Sequence, residues 1–225
     1  RITIAQWLVD LAKMRGDDSV ALVPNAVDLK QFTAEPRSKQ KNPVIGLMYS
    51  QAAFKGVDIA VEAYGHAARN IPRMELIAFG TQDPDRKLLL PQDATYVKNP
   101  PQSQIKEIYA SCDAWLFGSR TEGFGLPILE AMACRTPVIA TPAGAAPELV
   151  GKGGGILVKP EDPLDMARAI ERIGMMKDNE WREFSDKAYE TATKYTWDDA
   201  TKLFEKALYE AVTPLVPSPS GKGLG

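Results

Sequence analysis

Short apolar runs alternate with helix-length amphipathic stretches through most of the chain. VIGLMYS (44–50), MELIAFG (74–80), TYVK (95–98), DAWLFGS (113–119), TPVIAT (136–141) and GILV (155–158) read as strands. VIGLMYS and DAWLFGS are apolar at successive positions, as strands covered on both faces are. Helical patterns fill the gaps: from Val57 to about Asn70, around DPDRKLLL (83–90), through PQSQIKEIYASC (101–112), from Pro127 onward, and briefly in PAGAAPELV (142–150). This order predicts an α/β fold on a doubly wound, Rossmann-like parallel sheet, whose ligands gather at the carboxyl ends of the strands.

The flanks are helical. RITIAQWLVDLAKMR (1–15) places Ile4, Leu8, Leu11 and Ala12 on one face and stops at Gly16, after which SVALVP is a short strand and 33–43 a polar, Pro-containing loop. PEDPLDMARAIERIG and WREFSDKAYETATKY continue as helices. From Trp197 to about Val212 a stripe of Ala200, Leu203, Phe204, Ala207, Leu208 and Ala211 calls for a partner surface. The expected organisation is a lead-in helix and linker at 1–16, a Rossmann-like domain at 17–195, a C-terminal crossover helix at 196–213, and a flexible Pro/Gly/Ser-rich tail at 214–225.

Composition narrows the chemistry. With 225 residues the chain buries roughly 70% of its unfolded surface, so a sizeable core is assured. A formal charge of −2 supplies no field for nucleic acid. One histidine, His66, rules out multi-histidine metal sites, and without a motif partner it reads as a surface or capping residue rather than a catalytic base. Cys112 and Cys134 read as core thiols of a reducing compartment, and no apolar run approaches the ~20 residues of a membrane span.

The chemistry concentrates in EGFGLPILEAMACRTPVIAT, residues 122–141. Pro127 predicts a helix start, because a first-turn residue needs no N–H partner. That places Glu122 in the loop before the helix and Glu130 in its first turn, beside the free amides and positive dipole end that suit a phosphate. Gly123 and Gly125 let a ligand approach the amides of Phe124, Gly125 and Leu126. Lys55 and Gly80, like Glu122, lie just past strand ends. GxGxxG is absent, since Ile128 holds the third glycine's place, and GKGGG at 151–155 lacks the Ser or Thr of a phosphate loop.

PNAVDLKQF, KGVDIAVEAY, LIAFG, IYASCDAWLFGS, EGFGLPILEAMA, TPVIAT, PELV and GILVKPED occur in one order, and by them the chain resembles the C-terminal half of the family 4 retaining glycosyltransferases, which have the GT-B fold. The resemblance implies transfer of a hexose from a nucleoside diphosphate sugar, such as a UDP- or GDP-sugar, to a carbohydrate or lipid-linked acceptor in polysaccharide biosynthesis. It further implies that Glu122 meets the donor sugar as the catalytic candidate and that Glu130 holds the ribose. Gly123, Phe124, Gly125 and Leu126 line the donor, and Lys55 offsets the diphosphate. No cofactor beyond the donor and no essential metal is implied, and no acid-x-acid pair stands ready for one.

Departures from the family pattern are Tyr49–Ser50 in place of Gly-Arg, Cys134–Arg135 after the central helix, and Gly144–Ala145–Ala146 in the next turn. Ser50, Gly80 and Arg120 are candidates for further phosphate or base contacts, with Arg120 a substitute for the missing arginine and the 98–102 loop a base contact. The expected partner is an N-terminal acceptor domain preceding this one, without which transfer should fail. A cytoplasmic location is expected, with any peripheral membrane contact made by that part. A non-catalytic nucleotide-sugar-binding module and a GT-B epimerase are the alternatives, the latter disfavoured by the single histidine.

Overall fold

A computed structural model describes residues 1–212. The chain opens with β1 (Ile2–Thr3), α1 (Gln6–Met14) and β2 (Ala21–Leu22), the two strands pairing in parallel beside the helix. The main sheet follows: β3 (Val44–Met48), α2 (Val57–Ala68), β4 (Glu75–Gly80), β5 (Thr95–Lys98), α3 (Gln102–Ala110), β6 (Ala114–Phe117), α4 (Leu126–Ala133), β7 (Val138–Ala140), α5 (Ala146–Val150) and β8 (Gly155–Leu157). Three helices complete the described chain: α6 (Pro163–Gly174), α7 (Asp178–Ala192) and α8 (Trp197–Val212).

All six strands of the main sheet are parallel, in the order β5-β4-β3-β6-β7-β8. The apolar runs are continuous because both faces are covered. Ile45, Leu47, Leu76, Ala78, Leu116 and Ile139 face α2 and α6, while Trp115, Phe117, Phe79 and Val138 face α3, α4 and α5. Each buried large side chain in these layers is worth ~1.5–3 kcal/mol. At the amino end of the sheet, the fully buried Asp113 ties neighbouring segments together. It accepts from Arg37 at 2.9 Å and from the Val44 amide at 2.9 Å, while Arg37 lies 4.4 Å over the Trp181 ring.

Three expectations are corrected. DPDRKLLL forms turns, not a helix. The Asp85 carboxylate accepts from the Lys87 amide at 2.7 Å, and the Tyr49 hydroxyl accepts from the Asp85 amide and donates to the Leu88 carbonyl, so backbone groups a helix would use are taken locally. The first helix starts at Gln6, after β1, and buries Ala5 and Val9, leaving Leu11 37% exposed. The central helix starts at Leu126, one residue before Pro127, which moves Glu130 into its second turn. On α8, Ala200 packs with Val23 and Ala26, and Ala207 and Ala211 border a hollow against residues 18–21, while Leu203, Phe204 and Leu208 stay 41–47% exposed, uncovered among the described residues. The expected tail at 214–225 lies outside them.

Candidate active site

The strand order reverses beside β3. The chain runs from β3 outward through β4 and β5, then α3 carries it back across to β6 on the other side of β3. The loops leaving the carboxyl ends of β3 and β6 therefore part in opposite directions and leave a crevice between them. They touch through Gly56, at φ 59°, and Gly118. A Cβ on either would run into the carbonyl of the other, so only glycines allow this approach.

Lys55 closes the single 3-10 turn, Ala53–Lys55, that follows β3. Its Nζ lies 2.6 Å from Oε1 of Glu122, in the loop after β6. Ser119 donates its hydroxyl to the same oxygen at 3.0 Å, and the Thr141 hydroxyl in turn donates to the Ser119 carbonyl. The Lys55 and Glu122 side chains keep 22% and 13% of their surface exposed, which leaves the pair reachable from solvent. Beside it Lys55, Ser119, Trp115, Met48 and Pro127 border a hollow of about 20 Å³, room for one water.

The loop from Glu122 into α4 is held from outside the crevice. Trp7 of α1 donates its indole N–H to the Gly123 carbonyl at 3.0 Å, and the Gln6 amide donates to the Glu148 carboxylate at 3.0 Å. The buried Phe124 accepts from the Ala145 amide at 2.8 Å through its carbonyl. Gly125, at φ 98°, is the N-cap of α4. In its first turn Leu126 presents its N–H, Pro127 has none, and Ile128 donates to the Gly125 carbonyl at 3.0 Å, with the positive end of the helix lying there.

Glu130, one turn further on, accepts from the Tyr109 hydroxyl of α3 at 2.8 Å through Oε2. Burial raises its pKa and the Tyr109 bond lowers it. Tyr109 is wholly buried, which pushes its own pKa far up. Beyond Phe79, which packs on Tyr109, a cavity of about 350 Å³ opens between the ends of β3, β4 and α3, bordered by Met48, Tyr49, Ser50, Phe79, Gly80, Thr81, Asn99, Pro100, Gln102 and Ile105. Met48 borders both openings, so they adjoin.

The structure thus brings Lys55 and Glu122 into contact, sets Gly123, Phe124, Gly125 and Leu126 at the helix start, and places Ser50, Gly80 and the 99–102 stretch around one cavity. Arg120 does not join them. Its guanidinium is held 2.8 Å from Asp58, 2.7 Å from Glu161 and against the Ala53 carbonyl, and these contacts raise its pKa. It clamps the 53–58 segment. Arg135, where the resemblance has glycine, adopts φ 60° and pairs with Asp186 at 2.6 Å while lying 4.2 Å over Tyr189. Ser119, Tyr109 and Trp7 were not anticipated. Ser119 alone had a signal, its place at a strand end three residues before Glu122.

Comparison with known proteins gives the class. The chain superposes on the C-terminal domain of a glycosyl transferase group 1 family protein from Francisella tularensis with a TM-score of 0.62 and 26% identity, covering 75% of this chain and 97% of that domain. An Anabaena protein solved with UDP and glucose matches with a TM-score of 0.73 at 22% identity, over 93% of this chain and 62% of its own. The fold is that of the C-terminal half of GT-B glycosyltransferases. The family model of the glycosyl transferases group 1 matches residues 30–194, and the chain belongs to that family. Among curated relatives, D-inositol 3-phosphate glycosyltransferase of Corynebacterium jeikeium is 27% identical over 87% of this chain and 52% of its own length. The chain spans about half the length of such relatives.

Proposed function

We propose that this chain binds the nucleoside diphosphate sugar donor of a retaining hexosyltransferase of the family 4 type. The observation that carries the proposal is the Lys55–Glu122 pair at the switch point, 2.6 Å apart and partly exposed, with the half-buried Glu130 on the helix that follows and a cavity adjoining through Met48. In this reading the base enters the cavity between Tyr49 and Pro100, Glu130 accepts the ribose hydroxyls, and the diphosphate lies against the first amides of α4. Lys55 turns from Glu122 to the diphosphate and offsets charge as that group departs, while Glu122 accepts a sugar hydroxyl. The sugar keeps its anomeric configuration because the departing phosphate assists attack on its own face. The charge is met by Lys55 and the helix terminus, so chelators should leave nucleotide binding unchanged.

The Anabaena neighbour solved with UDP and glucose supports a donor of this class. The acceptor, a carbohydrate or lipid-linked hydroxyl, would be bound by a preceding domain, which the exposed stripe of α8 would help to seat. Membrane contact, if the whole protein makes any, falls to that part; no helix among the described residues is long and apolar enough to cross a bilayer. The engaged Arg120 and the neutral Ser50 leave a single cation at the diphosphate, which favours as a second reading a module that binds donor without transfer. Calorimetric titration with UDP, GDP, ADP and their sugars tests the proposal. Saturable binding that falls about tenfold to a hundredfold in Glu130→Ala supports it, and binding of none refutes it. Sugar transfer by the chain joined to its acceptor domain decides against the second reading.

A further inference from the structure

Glu130 works from an awkward place: it lies past the first turn of α4, and burial raises its pKa. What fixes it is on α3. The Tyr109 ring has no exposed surface and is wedged edge-on against Phe32 at 6.1 Å, Phe79 at 5.8 Å and Trp115 at 4.4 Å. Below it, the Tyr109 carbonyl accepts from the Thr136 hydroxyl at 2.6 Å. A ring held on three sides by other rings cannot swing, so its hydroxyl is a fixed point 2.8 Å from Oε2 of Glu130.

The same side of α3 reaches the cavity. Ile105, one turn before Tyr109, borders it, and so does Phe79, which packs on Tyr109. Tyr109 thus lies directly behind the cavity wall, and among the described residues no partner takes the other oxygen of the carboxylate it holds, Oε1. We infer that Tyr109 is a positioning residue for nucleotide binding, its buried hydroxyl holding the Glu130 carboxylate so that Oε1 meets the vicinal hydroxyls of a ribose. The inference rests on the reading of Glu130 as the ribose acceptor. A free carboxylate on a helix would sample several rotamers and bind a diol less well; one tethered oxygen removes that freedom before the ligand arrives.

The groups around Glu130 make this readable by pH. Besides burial, the Tyr109 hydroxyl acts on its carboxyl, and it lowers the pKa. Cys134, one turn on along α4, is pushed up to about 12 by burial and by Glu130 itself, with Lys106 of α3 acting the other way, and stays a neutral thiol. From α7, Asp186 is engaged by Arg135. Removing only the hydroxyl should thus raise the pKa of Glu130 and move upward the pH below which nucleotide affinity falls.

The test is calorimetry of the chain with whichever of UDP, GDP or ADP binds it, between about pH 5 and 8. Tyr109→Phe should weaken binding about five- to tenfold near neutral pH and shift its acid limb to higher pH. Glu130→Asp, which keeps the charge but withdraws it from the hydroxyl, should show the same shift, and the double variant should lose nothing more. Glu130→Gln should lose the acid limb itself. If the chain binds nucleotide and Glu130→Gln loses it, but Tyr109→Phe keeps both wild-type affinity and acid limb, Tyr109 is packing only and the inference fails while the donor-site reading stands. If no nucleotide binds the wild-type chain, both fall.

Discussion

Oε1 of Glu122 accepts from two donors at once, the Lys55 ammonium at 2.6 Å and the Ser119 hydroxyl at 3.0 Å. The cation assigned to the diphosphate and the acid assigned to the sugar therefore hold each other, and donor binding must separate them. Lys55→Ala should weaken UDP binding about tenfold to a hundredfold while leaving UMP binding nearly unchanged, measured by calorimetry with the two nucleotides side by side.

Replacing the acid separates two effects. Glu122→Gln removes the charge that competes for Lys55, so the free nucleoside diphosphate should bind a few-fold more tightly. Transfer by the chain joined to its acceptor domain should fall at least a hundredfold. Equal losses in nucleotide affinity and transfer would speak against Glu122 acting on the sugar.

Glu130 has the opposite linkage to an ordinary ion-paired acid. Its folded pKa is raised by burial above the unfolded value, so the folded chain holds the proton more tightly and the ionised form costs stability at neutral pH. That cost fades as pH falls through the folded pKa toward the unfolded one. Glu130→Gln should melt higher than wild type at pH 7, with the advantage vanishing at acid pH, while nucleotide affinity drops. Thermal melts at several pH values check this.

Asp113 makes the reverse case, an acid whose role is wholly structural. It receives Arg37 and the Val44 amide at the end of the sheet away from the crevice. Asp113→Ala takes the carboxylate from a partly exposed Arg37, which keeps its backbone carbonyl partners, and leaves the Val44 amide without its acceptor; it should cost ~1–3 kcal/mol, about 5 °C in melting temperature. Whatever remains folded should bind nucleotide as wild type does.

Arg120 and Ser50 test the missing cation. Arg120→Ala breaks its pairs with Asp58 and Glu161 and should lower stability by ~1 kcal/mol or less, with UDP affinity changed less than about twofold. Ser50→Arg restores a second cation at the mouth of the cavity and should tighten UDP binding about tenfold. A large loss of affinity in Arg120→Ala would return that residue to the site.

The strands were legible because burial on both faces forces runs such as VIGLM and AWLF, which few other contexts tolerate. DPDRKLLL deceived because its spacing suits a helix, and the tether that prevents one is Tyr49, more than thirty residues away in sequence. The site acids were marked by glycines and a proline close at hand. Lys55 was marked too, by its place past a strand end, but its contact with Glu122 was not, nor was Tyr109. Lys55 meets Glu122 across 67 positions and Tyr109 meets Glu130 across 21, and nothing local in a helical Tyr or Lys announces either contact. Arg120 misled for the same reason: its charge was visible, but Asp58 and Glu161, which absorb it, became neighbours only on folding.

The most direct measurement is a crystal structure of the chain with the nucleoside diphosphate that titration selects. The account predicts the diphosphate within about 3 Å of Lys55 Nζ and the first amides of α4, a ribose on Glu130, and Lys55 no longer bonded to Glu122. Nucleotide bound elsewhere, or bound in the crevice with the Lys55–Glu122 pair still at 2.6 Å, would contradict it.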